Sequence, residues 1–303
     1  MTEDLTTNPN PQIVSVPIPQ RAQAGPGARF IAVWRGNGLA LVGVAFLALV
    51  VLGAVFAPIL TSYSPTKVNV RERLKPPSLT YPMGTDELGR DIRTRILYGG
   101  RSILISSSLA TLLALLIGTG LGVFAAYRGG WLGELLMRLM DIVLSFPAIL
   151  LAILVVAALG PGLINLVLAI TVAMVPVFAR LARAIVLSIV EQDYVIAAKT
   201  LGLPDLVIIR SHVLPNMLPL VLVQATGMLA VAFATSSALN FLGLGVVPPT
   251  PDWGLMVAES QRLVFDAPHV PFFPGLVITL TVMAVNVLGD GLRDRLDPMG
   301  NTR

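Results

Sequence analysis

The chain has 303 residues, of which 55% are hydrophobic and 13% charged, with a formal net charge of +4 and a mean hydropathy of +0.80. An ordinary soluble domain carries roughly 25% charged residues, so a soluble fold is excluded. Cysteine is absent and histidine is limited to His212 and His269, which excludes disulfides, thiolate metal sites and an imidazole cage, while the scattered basic residues form no stripe that nucleic acid could use.

In chain order, residues 1–35 read as a flexible cytoplasmic tail. The stretch Met1 to Ala28 is rich in Pro, Asn, Gln and Thr and cannot offset the entropy of ordering. It has no basic start, apolar run and small-residue cleavage site, so no secretory signal is expected. A helix rises 1.5 Å per residue, so a hydrocarbon core of about 30 Å takes roughly 20 apolar residues. The first such run is Leu39 to Leu60, within a span assigned to 36–61. Residues 62–101 follow as an external loop containing Gly84 to Asp91, where Asp86, Asp91, Arg90 and Arg93 are expected to form local ion pairs, with a substrate contact as the alternative.

Residues 102–291 hold the five remaining spans, with 292–303 as a cytoplasmic tail. The second span is Ser102 to Tyr127. No charge falls between Asp141 and Arg180, and Gly160-Pro161-Gly162 divides that stretch into Ile142 to Leu159 and Leu163 to Ala179. The fifth span lies in Met217 to Leu242 and the sixth in Phe272 to Leu288. The expected architecture is an all-α integral membrane protein of about six transmembrane helices. Lys and Arg concentrate in cytoplasmic loops, which places both termini inside and leaves the basic 61–101 loop as the exception. Gly118 and Gly122 form a small-xxx-small pair for helix packing, with Gly227 and Ala230 similar, and Pro147 and Pro176 are expected to kink spans three and four.

Between spans four and five lies a polar elbow, 190–216. Tyr194 to Leu201 fits a short helix with Lys199 near its negative end, and Gly202 can take the left-handed conformation that stops it. Pro204-Asp205 opens a second short helix, Leu206 to Val213, expected to end before Pro215. Small Ala197 and Ala198 would let a partner approach closely.

Ala197-Ala198, three residues, Gly202, then Leu214-Pro215 resembles the EAA signature of permease subunits in bacterial ABC importers, with Ile196 at its glutamate position and His212 at its isoleucine position. MGTDELGRD from Met83, NFLGLG from Asn240, PPTPDWG from Pro248 and LGDGLRDRLDP from Leu288 resemble the dipeptide/oligopeptide branch, C-subunit type. That resemblance covers about Trp34 to Pro298. It implies a type I importer permease (MetI-like) fold, and a coupling surface at Ala197, Ala198, Lys199, Gly202, Leu214 and Pro215. It also implies a heterodimer with a second homologous permease among the lipids of the bacterial inner membrane, two cytoplasmic ATPase subunits and an external binding protein. No GxxxxGK[ST] phosphate cradle occurs, so ATP and Mg belong to the partners and this chain binds no cofactor and performs no covalent chemistry. The expected cargo is a dipeptide or oligopeptide; nickel chelates, glutathione and other small solutes remain alternatives.

Ionisable and polar groups at membrane depth are candidates for a gate or pathway, or for structural pairing. Arg138 and Asp141 stand three apart on one helix face, and Asp290 closes the last span. Ser236 and Asn240, with Ser237, could line a polar path in span five. An ion-coupled secondary transporter would want a midplane carboxylate and inverted repeats, neither of which is evident. An intramembrane enzyme would want a Ser/His/Asp set or a metal pair at depth, also not evident.

Overall fold

The computed structural model describes residues 38–296. The expected tail over 1–35, with Arg21, Arg29 and Arg35, and the last residues to Arg303 lie outside the described residues. Helix α1 (Gly38–Val55) gives way at Phe56 to the short α2 (Ala57–Leu60). Helix ends leave carbonyls without intrahelical partners. Arg101 supplies them here, its Nε donating to Ala54 O at 2.7 Å and its Nη2 to Val55 O at 3.0 Å.

Helix α3 (Ile92–Arg128) begins within the stretch expected to be external loop, so residues 92–101 are corrected to helix. Asp91 is its N-cap, accepting from the Thr94 amide at 2.9 Å and from the Thr94 hydroxyl at 2.5 Å. Two further helices follow, α4 (Gly130–Leu144) and α5 (Ala148–Leu159), meeting at 93° across Ser145, Phe146 and Pro147. The expected single span from Ile142 to Leu159 is therefore a bent pair. Pro147 stands at the N-cap of α5 rather than kinking a continuous helix, because a proline pushes the residue before it out of helical geometry.

Helix α6 (Leu163–Val190) runs beyond the expected Ala179 and passes through Pro176 unbroken. It packs closely on α3, since a Cβ at Gly118 would stand 2.5 Å from Val175 O and 2.6 Å from Phe178 Cβ. The elbow contains α7 (Asp193–Thr200) and α8 (Asp205–Ile208). The second arm does not end before Pro215. A π-helical turn, Ile209–Val213, carries it straight into α9 (Leu214–Phe241), with Leu214 N–H bonded to Ile209 O. The widened turn lets the chain pass a proline that lacks an amide donor. Short α10 (Trp253–Ser260) and α11 (His269–Leu296) complete the chain, and α11 takes in residues 292–296 expected to be tail.

Among the described residues five helices are long and apolar enough to cross a membrane, and the bent α4–α5 pair makes a sixth. Among the described residues three apolar clusters hold them, the smallest packing α4 onto α3 and α6 through Ala125, Met137 and Ala179. Of the larger two, one joins α3, α5, α6 and α9 through residues such as Leu166, Phe178 and Leu239, and extends into the elbow through Val195, Ala198, Ile208 and Val213. The other joins α1, α3, α9, α10 and α11 around Ile92, Phe233 and Trp253.

Candidate functional site

The elbow is built as a stiff bend. After α7, Gly202 N–H donates to Lys199 O at 2.9 Å and Leu203 N–H to Ala198 O at 3.2 Å, the two bonds of a Schellman cap, with Gly202 at φ +78°. Leu203 and Ala198 both pack into the first core, supplying the apolar contact that accompanies such a cap. Lys199 Nζ lies 5.8 Å from the centroid of the Tyr127 ring in the last turn of α3, tying the elbow to a third helix.

The two arms are stitched together. Tyr194 stacks on His212 with ring centroids 6.0 Å apart, and Asn216 Nδ2 donates to the Tyr194 hydroxyl at 3.4 Å. Histidine at the signature's isoleucine position thus packs between the arms. The outer surface mixes apolar and charged groups: Ile196, Leu201 and Leu206 are exposed, Leu201 at 81% and Leu206 at 76%, with Ala197 open beside them and Asp193, Lys199, Asp205 and Arg210 exposed as well. Ile196, at the glutamate position, therefore offers a greasy surface rather than a charge. Leu214 and Pro215 are exposed at the start of α9.

At the opposite end of the bundle four charged groups form a lock, with Asp86, Arg90 and Arg95 buried and Glu259 partly exposed. Asp86 Oδ2 accepts from Arg90 Nε at 2.6 Å and from Arg95 Nη1 at 2.5 Å, and both arginines reach Glu259 Oε2 of α10 at 3.1 Å. Charges taken out of water persist only when paired and hydrogen-bonded. The expected local ion pairs are corrected accordingly. Asp86 and Arg90 do pair, whereas Asp91 caps α3 and Arg93 donates to Leu60 O at 3.1 Å. Arg95 and Glu259 escaped sequence reasoning because they lie far apart in the chain.

Beside the lock, Trp253 fills the space over Gly99 and Gly100 and donates Nε1–H to Ile96 O at 2.8 Å. Asp252 caps α10, its Oδ1 accepting from Gly254 N at 2.9 Å, while Oδ2 is buried without a hydrogen-bond donor. Burial pushes this carboxyl up from 3.8 to about 7, against the opposing pull of the Leu255 and Gly254 amides. Between those two values the folded chain holds a proton that the unfolded chain has lost, so stability falls as pH rises through that window and is flat above it. Asp252→Asn keeps the capping oxygen and removes the titration. Its thermal midpoint in detergent is expected to vary less between pH 5 and 8 than that of the wild type; equal slopes would show that Asp252 does not titrate there.

The remaining candidates are placed as follows. Arg138 is exposed on α4, and Asp141 pairs not with it but with Arg180 of α6 at 3.6 Å, both side chains more than half exposed. The 93° turn after α4 lays that helix against α6, which brings the two together. Ser236 is buried with its hydroxyl 2.9 Å from that of Ser106 in α3. Asn240 accepts from Val246 N at 2.7 Å and donates to Ser236 O at 2.9 Å, fixing the turn that leaves α9.

Residues 118–299 match the family described as binding-protein-dependent transport system inner membrane component, and residues 25–77 match the N-terminal transmembrane domain of oligopeptide transport permease C. The dipeptide transport system permease protein of Alkalihalophilus pseudofirmus is 46% identical over 86% of each chain. The di/tripeptide transport system permease protein of Pseudomonas aeruginosa is 43% identical over 86% of this chain and 88% of its own. Among solved structures, an inward-facing methionine ABC transporter superposes with a TM-score of 0.55 at 20% identity, covering 67% of this chain and 96% of its own, which is a likeness of fold. A multi-pass helical chain with this elbow and these relatives belongs to the family of inner-membrane permease components of binding-protein-dependent ABC importers.

Proposed function

We propose that the chain is one of two permease subunits of an ATP-driven importer for dipeptides and short oligopeptides. It forms half of the translocation path, pairs with a homologous permease, and receives substrate from an external binding protein at the end carrying the lock. The elbow faces the cytoplasm with both chain termini, and two separate ATPase subunits grip it. The contact set is Ala197, Lys199, Gly202, Leu214 and Pro215, with Ala198 as its buried anchor, extended by exposed Ile196, Leu201 and Leu206. ATP and Mg act in those partners.

The observation that carries this reading is the elbow. Its outer face is open, presenting Ile196, Leu201 and Leu206 among exposed charges, while its inner face is continuous with the core of α6 and α9, so a push on it moves those helices as a body. The dipeptide and di/tripeptide permeases among the chain's relatives supply the cargo class. In proteoliposomes holding the whole transporter, uptake of alanyl-alanine is expected to require ATP and the binding protein. Uptake that survives ATP removal and collapses with an ion gradient would establish secondary transport instead. Glutathione, the alternative tripeptide cargo, is the second substrate to assay.

A further inference from the structure

A cleft of about 370 Å³ opens between α6, α9 and α11 toward the elbow end of the bundle. Its apolar wall is Leu181 and Ile185 of α6, and its polar groups are Gln224 of α9 and Asn286, Asp290 and Arg293 of α11. Elsewhere the uncovered helix faces are large and aliphatic, as at Leu39, Val42, Leu49 and Leu52 of α1, all more than half exposed. Gln224 and Asn286 lie within the membrane-crossing lengths of α9 and α11, where polar side chains are costly against lipid tails, so a cavity they line serves water or a polar ligand. At its floor α11 approaches α9 closely, since a Cβ at Gly289 would come within 2.9 Å of Thr226 Oγ1. Gly227 beside it has open space above it.

We infer that this cleft binds the zwitterionic end groups and amides of a short peptide, which rests on the peptide-importer function proposed above. Asp290 and Arg293 stand three apart and therefore on one face of α11, offering a carboxylate to an ammonium group and a planar guanidinium to a carboxylate. Gln224 and Asn286 each present both a donor and an acceptor, the complement of a peptide bond. Asn286 Nδ2 already donates to Val282 O at 3.1 Å, which fixes the side chain and leaves its carbonyl oxygen as an acceptor. Leu220, Gln224, Gly227 and Val231 repeat along one face of α9. That face leads from this cleft to a second cavity of about 320 Å³, lined by Phe146, Pro147, Met174, Met228, Val231 and Thr235, whose apolar walls suit the peptide's side chains.

The absence of native cysteine makes the test direct. In the complete transporter in nanodiscs, Gln224→Cys and, separately, Asn286→Cys are labelled with a methanethiosulfonate ammonium reagent, with Leu222→Cys on the opposite side of α9 as control. Alanyl-alanine is expected to slow labelling at 224 and 286 about tenfold, N-acetyl-alanyl-alanine amide far less, and neither to affect 222. If the wild type imports alanyl-alanine yet labelling at 224 and 286 ignores it, the cleft assignment falls while the importer stands. If the wild type imports no peptide, both fall together. Protection produced by phosphatidylethanolamine in place of phosphatidylcholine, without peptide, would reassign the cleft to a lipid headgroup and overturn the inference.

Discussion

Replacing Gly122 with leucine is expected to eliminate properly assembled protein from the membrane. A Cβ at that position would overlap Ala179 O and stand 2.7 Å from Ala182 Cβ, and most of the obstruction is backbone that cannot rotate away. Helices in lipid gain little from the hydrophobic effect on meeting, so they associate through close packing and hydrogen bonds. The α3–α6 seam is of this close-packed kind: Gly118 and Gly122 lie on one face of α3, and α6 passes over both. Overpacking a filled interior costs about 1–3 kcal/mol, and more where backbone must move. The expected result is loss of the monodisperse peak in detergent chromatography. Gly120→Leu, on the same helix, is the matched control, because nothing lies within 4 Å of its Cβ position. Equal yields from the two variants would remove the seam from the account.

Gly202→Val is expected to insert and assemble normally yet hydrolyse ATP without moving peptide. No atom lies within 4 Å of a Cβ built there, so sterics with neighbours play no part. The obstacle is φ +78°, which costs an L-residue about 1–2 kcal/mol and a β-branched one more. A penalty of that size disfavours the capped bend by roughly 5- to 30-fold, enough to turn a stiff lever into a hinge. Asparagine tolerates the left-handed region, so Gly202→Asn is expected to restore most of the coupling. The measurement is the ratio of ATP hydrolysed to alanyl-alanine imported. A valine variant with the wild-type ratio would mean that the bend's geometry does not transmit the stroke.

The parts of this architecture that were legible in sequence were those with local causes. Uninterrupted apolar runs located the membrane helices, Gly160-Pro161-Gly162 separated α5 from α6, and Gly202 marked the end of α7. What escaped depended on distant residues. The start of α3 was read as loop because Arg93, Arg95 and Arg101 look hydrophilic. Yet Arg95 is 2% exposed, neutralised by Asp86 and by Glu259, which lies 164 positions along the chain. Hydropathy cannot register such a partner.

The bent α4–α5 pair was missed for a related reason. Glu134, Arg138 and Asp141 mark α4 as a poor span, but only the fold shows it turning through 93° to meet α6, where Asp141 finds Arg180. Pro215 was read as a stop, whereas the π-helical turn before it carries the helix through. On the elbow the proposed contact residues rest on their spacing alone. Tyr127, Tyr194 and His212, which hold it rigid, lie on separate elements and carry no local signal.

The central claim is that a separate ATPase grips the outer face of the elbow from the cytoplasm. Leu201, 81% exposed, is the place to test it, since a cysteine there would be the only thiol in the chain. In the whole transporter, Leu201→Cys is expected to cross-link to a cysteine in the ATPase groove and to resist membrane-impermeant thiol reagents applied to intact cells. Labelling of that cysteine from outside the cell, with no cross-link to the ATPase, would contradict the account.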